Sequence, residues 1–412
     1  MTGSTAGPAT GSVRQQAPAG SRQPLPLVVF VLALGTFLMV TSEFVVAGVL
    51  PEIAGDLSVS LAHAGLLITV FAIGMIVGAP TMTLVTLRLS KRSTLLLALA
   101  VFIVGHVIVA LASDFTILLA ARFLTALATG AFWAVASVLA VRLAGTGSGS
   151  RALGVVGAGG ALAGVAGVPL GAFVGQTLGW RGTFWSIAVL AVVAAAMIAR
   201  FVPHDAGATE GATIRGELRG LRAPRLWIAL VACATTNAAM LSAYAFISPI
   251  LTDHAGIAIG FVPLVLTCFG VGSLSGTLLA SRLGDARPHA VTVVTPAVTC
   301  VLLGLLAVIT GAPAATIAVV VLLGLFGFSA NSVLTLLAVR AAGQAATLGS
   351  SLTVSAFNVG TAVGTGVAGL ALESSLGVVG PILVGTGFAA LTLVPVVALA
   401  VLRVSAGRGG AH

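Results

Sequence analysis

The chain has 412 residues, of which 58% are hydrophobic and 7% are charged, and its mean hydropathy is +1.17. A composition this apolar excludes a soluble globular protein and indicates a membrane protein. The formal net charge of +9 would suit nucleic acid or another acidic partner, but the positions of the basic residues along the chain point elsewhere.

The hydrophobic residues form twelve successive runs, each long enough to cross a hydrocarbon core of ~30 Å. The runs lie at 27–48, 64–86, 94–113, 116–142, 152–177, 183–202, 226–251, 261–281, 290–310, 314–339, 347–372 and 379–402. Continuous apolar runs predict helices, because a backbone in lipid is satisfied only in helices and closed barrels. The predicted fold class is an all-α membrane protein with twelve transmembrane helices.

The segments outside these runs predict the domain organisation. Residues 1–26 are rich in Gly, Ala, Ser, Pro and Gln, which predicts a disordered cytoplasmic N-terminus. The polar segment 203–225 predicts a cytoplasmic linker between a first six-helix half at 27–202 and a second at 226–403, and 404–412 is the predicted cytoplasmic tail. The cysteines are isolated in separate runs, so neither a metal site nor a disulfide is predicted.

The basic residues follow the topology of the runs. If the N-terminus is cytoplasmic, every Lys and Arg falls on the cytoplasmic side except Arg181, which lies outside, and Arg122, which lies within a run. This bias is the positive-inside rule. It predicts that both termini are cytoplasmic, and it explains the net charge without a nucleic-acid partner.

The two halves of the chain repeat each other. The pattern Phe-x-x-Gly-x-x-x-Gly begins at Phe71 and again at Phe269, an offset of 269 − 71 = 198 residues. At the same offset, Ala-Val-Arg-x-Ala-Gly begins at Ala140 and again at Ala338. Two six-helix units with the same orientation predict two halves related by pseudo-two-fold symmetry about the membrane normal. A substrate site is then expected between them, near the midplane.

Motifs in the first, fourth and fifth runs carry a family resemblance. The segments Thr41-Ser42-Glu43-Phe44 and Ala121-Arg122-Phe123 are similar to the first-span and fourth-span signatures of the drug:proton antiporter branch of the major facilitator superfamily. The fifth run resembles the antiporter motif of that branch, carried here by Gly164, Gly167, Pro169 and Gly171. Within the branch, the chain looks most like bacterial chloramphenicol exporters and arabinose or nucleoside efflux proteins, which implies a bacterial cell membrane.

The resemblance extends to the cytoplasmic loops after the second and eighth runs. The residues that match the loop motif are Arg88, Lys91, Arg92, Arg282, Asp285 and Arg287. The first-half copy departs from the family in one respect, because Leu87 stands where the family has an acidic residue. The charge pair that the resemblance implies at this loop is therefore not expected in the first half.

Glu43 is the one carboxylate deep within a predicted span. Charged groups in hydrocarbon are costly and tend to be functional. A rise of 1.5 Å per residue places Glu43 and Arg122 at similar depth, and a buried arginine needs an acceptor. We therefore expect a proton-coupling pair in which burial favours the neutral carboxyl and Arg122 favours the ionised one. The position 43 + 198 is Leu241, so proton chemistry is expected in the first half only.

Two alternatives for Glu43 stay open. It could form a static ion pair that locks the first and fourth spans, or it could bind a cationic or hydrogen-bonding group of the substrate directly. The candidate substrate contacts are Phe44, Phe132, Trp133, Asn237, Tyr244 and Asn358. Aromatic residues in spans more often serve packing, and interhelical hydrogen bonds account for the asparagines about as often as ligand contact does. We interpret His106 as a satisfied core residue.

These features predict a secondary active exporter of small amphipathic compounds, chloramphenicol-like, working by proton antiport with alternating access. Sugar or nucleoside efflux by the same fold is the alternative. Glu43 argues against a facilitator that uses no ion, and no set of residues with enzyme-like spacing supports a membrane enzyme. The expected partners are a small-molecule substrate and the lipid bilayer. A monomer is expected, with the proton as coupling ion and no cofactor.

Overall fold

The structure is a computed structural model that describes residues 3, 25–85, 90–144, 149–203, 223–309, 311–342 and 346–408. Twelve helical spans in this part of the chain are long and apolar enough to cross a membrane. In chain order their helices are Leu27–Gly48, Leu61–Val85, Lys91–Leu111, Phe115–Ala144, the pair Gly149–Leu162 and Val168–Leu178, Trp180–Phe201, Pro224–Tyr244, Val262–Ala286, Pro288–Val308, the pair Pro313–Gly327 and Ala330–Ala342, Ala346–Glu373 and Val379–Arg408. We call them the first to twelfth spans.

Several predicted features lie outside the described residues. They are most of the N-terminus at 1–26, most of the linker at 203–225, the last residues of the tail at 404–412, the loop residue Arg88 and the side chain of Asp285.

Prolines lie beside the interruptions of the seventh and fifth spans. The seventh span ends at Tyr244, earlier than the predicted 251, and continues as Ile247–Pro249 and a π-helical turn at Ile250–His254. Proline has no N–H to donate one turn back, and its ring clashes with the carbonyl there. The fifth span likewise contains a π-helical turn at Ala163–Gly167, directly before the helix with Pro169 near its start.

The halves meet along two pairs of spans. The second and eleventh spans are joined by a 2.7 Å hydrogen bond between the hydroxyls of Thr69 and Thr365, and by a 2.6 Å bond from Ser60 to the carboxylate of Glu373. The fifth and eighth spans approach so closely that a Cβ on Gly270 would collide with the main chain of Gly164. Both pairs lie between the halves and enclose the space where a substrate site is expected.

The space between the halves is closed at one end. We call this the Asp56 end, because the short helix Leu50–Asp56 lies there, and the opposite end, where the third span begins, the Lys91 end. At the Asp56 end, one apolar core contains Val46 and Leu50 of the first half together with Ile247 and Leu266 of the second. In the orientation that the basic residues predict, the Lys91 end is cytoplasmic.

Candidate functional site

A cavity of about 430 Å³ lies between the two halves. Its walls come from the first, second, fourth and fifth spans and from the seventh, eighth, tenth and eleventh. These two sets correspond to each other under the six-span repeat. Pockets of several hundred Å³ with mostly apolar walls and a few polar groups are typical of small-molecule sites.

Most of the predicted contacts line this cavity. The lining includes Glu43, Phe44, Trp133, Asn237, Tyr244 and Asn358. Phe132 does not, and its prediction as a substrate contact is wrong. Its ring is fully buried against Gly35 in the core of the first half. Neighbouring residues on a helix point about 100° apart, and here Trp133 faces the cavity while Phe132 faces the core.

The structure brings Glu43 and Arg122 together through the main chain and not through an ion pair. In the part of the chain that is described, no Glu43–Arg122 ion pair forms within 4.0 Å. The guanidinium donates instead to the Ser42 carbonyl at 3.0 Å and the Ser42 hydroxyl at 3.1 Å, with longer contacts to the carbonyls of Leu67 and Glu43 at 3.4 and 3.5 Å. The ring of Phe71 lies 4.2 Å from its Cζ.

The alternative in which Glu43 and Arg122 form a static ion pair is therefore not supported by the geometry. Five N–H donors in a planar fork can be satisfied by carbonyl and hydroxyl oxygens, and this leaves the carboxyl of Glu43 on the cavity wall. Arg122 is 1% exposed. Arg122 is thus a buried cation held by the backbone of the first span, and Glu43 of the same span lines the cavity.

A buried histidine completes the network around Arg122. Nδ1 of His106 lies 2.7 Å from the Phe102 carbonyl, which can only accept, so Nδ1 carries the proton. Nε2 of the neutral ring then accepts from the Ser42 hydroxyl at 2.8 Å, and that hydroxyl in turn accepts from Arg122. The interpretation of His106 as a satisfied core residue is confirmed. Ser42, which sequence reasoning passed over, is the link between His106 and Arg122.

Other residues of the cavity wall were not predicted, although the 198-residue repeat relates some of them to each other. At the offset of 198 residues, the counterpart of Trp133 is Asn331 and that of Met75 is Ser273. Both counterparts line the cavity. Phe269, which also lines it, is the counterpart of Phe71 and was recognised only as part of the repeat. Of the predicted first-half residues, Trp133 is the one whose counterpart also lines the cavity, so the repeat would have identified Asn331.

A model of the Major Facilitator Superfamily matches residues 32–365. The chain belongs to this superfamily. Its members are transporters that bind small-molecule substrates within the membrane, so this chain is a multi-pass membrane transporter with two six-helix halves. The superfamily fold accounts for both the repeat and the cavity between the halves.

Individual members of the superfamily are similar over most of the chain. A chloramphenicol resistance protein of Streptomyces lividans is 38% identical over 361 residues, 87% of this chain and 92% of that protein. The inner membrane transport protein YdhP of Escherichia coli is 33% identical over 353 residues, 84% of this chain and 89% of its own. The solved nucleoside transporter NupG has the same fold, with a TM-score of 0.74 at 13% identity, covering 91% of this chain and 100% of that one.

The superfamily motif in the fifth span packs against the first span. A Cβ on Gly167 would collide with Thr41, and one on Gly171 with Val45. Gly164, the third glycine of the motif, lines the cavity, and Pro169 is buried near the start of the helix Val168–Leu178. The glycines therefore allow the close approach that the sequence pattern indicates.

The loop motif of the superfamily lies at the Lys91 end. In the first half, Lys91 is 7% exposed, and Arg92 donates to the carbonyls of Ala199 and Val202 at the end of the sixth span. In the second half, Arg282 and Arg287 are exposed. Arg92 of the first-half loop thus binds a helix C-terminus, where main-chain carbonyls lack partners.

The one basic residue predicted on the other side, Arg181, lies at the Asp56 end. It forms an ion pair with Asp56, lies over the ring of Trp180 and donates to the carbonyl of Ala112 at 3.1 Å. Trp180 also donates to Asp56, at 3.1 Å. The hydrogen bond from Arg181 holds the pKa of the Asp56 carboxyl below its ordinary value.

Proposed function

We propose that the chain is a proton-driven exporter of small amphipathic organic compounds, with Glu43 as the group that carries the proton. One observation carries the proposal. Among the described residues that line the cavity, Glu43 is the one carboxylic acid, and the buried cation Arg122 lies behind its main chain. The chloramphenicol resistance protein among the relatives supports this class of substrate.

The arrangement suits a carboxyl that changes its protonation state. Arg122 is fixed by Ser42 and favours the ionised form of Glu43, whereas the apolar surroundings favour the neutral form. The balance between these effects changes when the cavity gains or loses water or a ligand. Substrate entry and proton loss at one wall would thereby be coupled, and opening at the Asp56 end would release the substrate.

Export of a sugar or nucleoside is the second candidate, and the polar second-half wall favours it. Asn237, Asn331 and Asn358, with Ser273 and Thr277, present amides and hydroxyls to the cavity. Such groups bind hydroxyl-rich compounds as readily as the polar end of a drug. The mechanism at Glu43 would be the same.

Two assays test the proposal. The first is a drug-susceptibility panel in an efflux-deficient host, comparing the intact protein with Glu43→Gln and, as a matched acid-to-amide control, Asp253→Asn, which is outside the cavity lining. We expect resistance to at least one compound that Glu43→Gln abolishes and Asp253→Asn retains. The second is transport into proteoliposomes under an imposed pH gradient. Normal insertion without resistance would refute drug export, and transport indifferent to the gradient would refute proton coupling.

A further inference from the structure

The second-half wall of the cavity contains an asparagine whose orientation is fixed from behind. The Phe357 carbonyl can only accept, so the atom of Asn237 that lies 3.1 Å from it is the amide nitrogen. The same nitrogen donates to the Thr361 hydroxyl at 2.9 Å. The Asn237 oxygen therefore faces Asn331, which must present its own nitrogen, at 3.4 Å. The side-chain oxygen of Asn331 is left without a hydrogen-bond partner.

A second asparagine on this wall is fixed in the same way. Asn358 is 6% exposed, and its nitrogen donates to the Val354 carbonyl at 3.0 Å, one turn back in the eleventh span. Its oxygen also has no hydrogen-bond partner. Buried carbonyl oxygens are normally hydrogen-bonded, and those that are not call for an explanation. Here, both asparagines contribute to the wall of one cavity, and their two unpaired oxygens are buried beside it.

The wall beside these amides is aromatic. Phe44 packs on Tyr244 and Phe328 with ring centroids 6.1 and 6.4 Å apart, and Phe269 packs on Tyr244 at 4.8 Å. All four rings line the cavity. Tyr244 follows Asn237 by seven residues in one helix, so its ring lies about 10 Å closer to the Asp56 end than the Asn237 amide. The cavity therefore has an apolar end and an end with unpaired acceptors.

We infer that the Asn331 and Asn358 oxygens are the specificity determinants of the cavity, and that they select uncharged compounds carrying at least two hydroxyl or amide N–H donors near an apolar ring. The inference rests on the proposed export function and names its substrate class. Amide oxygens carry no full charge that would offset the desolvation of a cation. A site with unpaired acceptors discriminates strongly against ligands without the matching donors.

The test uses matched pairs of compounds on the intact protein. Chloramphenicol, a nucleoside and a pentose are each compared with their fully O-methylated derivatives, which keep the acceptor oxygens and lose the hydroxyl donors. Binding is measured in nanodiscs by calorimetry, with no gradient, and tetraphenylphosphonium serves as a cation without donors. We expect at least one parent compound to bind about tenfold tighter than its methylated partner, and tighter than the cation.

Variants assign this preference to the two oxygens. Asn331→Ala and Asn358→Ala should each reduce the ratio between parent and methylated compound to near one. Thr335→Val is the control, because Thr335 lies one turn further along the tenth span, outside the cavity lining, and donates only to the main chain. It should keep the ratio. Because the pairs are compared on the unmodified protein, the inference remains testable even if a variant fails to fold.

The outcomes separate this inference from the export proposal. Equal binding within every pair, no binding by any parent compound, or tighter binding of the cation would overturn the inference; equal binding would mean that water satisfies the oxygens. Donor-dependent binding by a protein that ignores the pH gradient would overturn proton-driven export and leave the inference intact.

Discussion

The two walls of the cavity come from one repeated plan, and they differ in the chemistry they offer. The first-half wall has Glu43 in front of a buried arginine, whereas the equivalent position of the second half, Leu241, is a 1% exposed core residue. The counterpart of Arg122 is Val320, also buried. At another pair of equivalent positions, the second half has the polar residue Asn331 and the first half has Trp133.

This difference teaches how a duplicated scaffold can take on two roles. Helix packing tolerates few changes, so the glycines at equivalent close approaches are retained, as at Gly78 and Gly276. Wall residues that face a cavity have no such constraint and can diverge. We propose that the first wall couples transport to the proton and the second recognises the substrate. Four variants test this separation.

Arg122→Ala should have the largest effect. It removes a buried cation and its hydrogen bonds to the carbonyls of Ser42 and Leu67, each worth about 1.5–3 kcal/mol. Gradient-driven transport in proteoliposomes should fall by about 100-fold, while substrate affinity without a gradient should change by less than about threefold. A comparable loss of affinity would show that the two walls are not separate.

Leu241→Glu places an acid at the second-half position equivalent to Glu43. No arginine compensates it there, so the variant should be destabilised by roughly 2–4 kcal/mol. Leu241→Met, which nearly conserves volume, should cost less than about 1.5 kcal/mol. Thermal melting in detergent compares the two variants. Equal midpoints would contradict the view that only the first half is built to hold an acid.

Ser42→Ala should have an intermediate effect. It removes the hydroxyl between His106 and Arg122 and leaves buried polar groups on both without a partner, at about 1–3 kcal/mol. Ser186→Ala is the control, since that hydroxyl donates only to a main-chain carbonyl in its own helix. The melting midpoint should be lower for Ser42→Ala than for the unmodified protein, and it should be unchanged for Ser186→Ala. The pH profile of transport should also shift if Ser42 positions Arg122 for coupling, and an unchanged profile would limit Ser42 to a structural role.

The smallest effect is expected at the Asp56 end. The halves differ here too, because the residue equivalent to Asp56, at position 56 + 198, is His254. The pKa of Asp56 is held below its ordinary value by Arg181, so its contribution to stability is present above the unfolded-state pKa and is lost as the pH falls through the folded pKa. Asp56 is 46% exposed, so this contribution is less than about 1 kcal/mol. Between pH 5 and pH 3, Asp56→Asn should lose slightly less stability than the unmodified protein. Melting at each pH checks this, and parallel curves would contradict it.

Much of the fold could be predicted from the sequence, because each span must be continuous and apolar to cross lipid. The depth of Glu43 and Arg122 followed from the helical rise. The directions of their side chains could not be predicted in this way. A small difference in helix rotation decides whether a guanidinium meets a carboxylate or the main chain beside it. The same limit explains the error at Phe132. Asn331 could have been predicted, because it is the counterpart of Trp133 at the offset of 198 residues.

The closure at the Asp56 end has a consequence for the kinetics of the transporter. At this end the halves meet through aliphatic and aromatic side chains, a hydrogen bond from Ser60 to the Glu373 carboxylate and one from Gln176 to the Ile259 carbonyl. The ion pair of Asp56 and Arg181 lies within the first half. Salt screens ion pairs but hardly weakens apolar contacts. The rate at which this end opens should therefore respond to temperature and to the thickness of the bilayer, and remain nearly constant when the ionic strength on that side of the membrane changes.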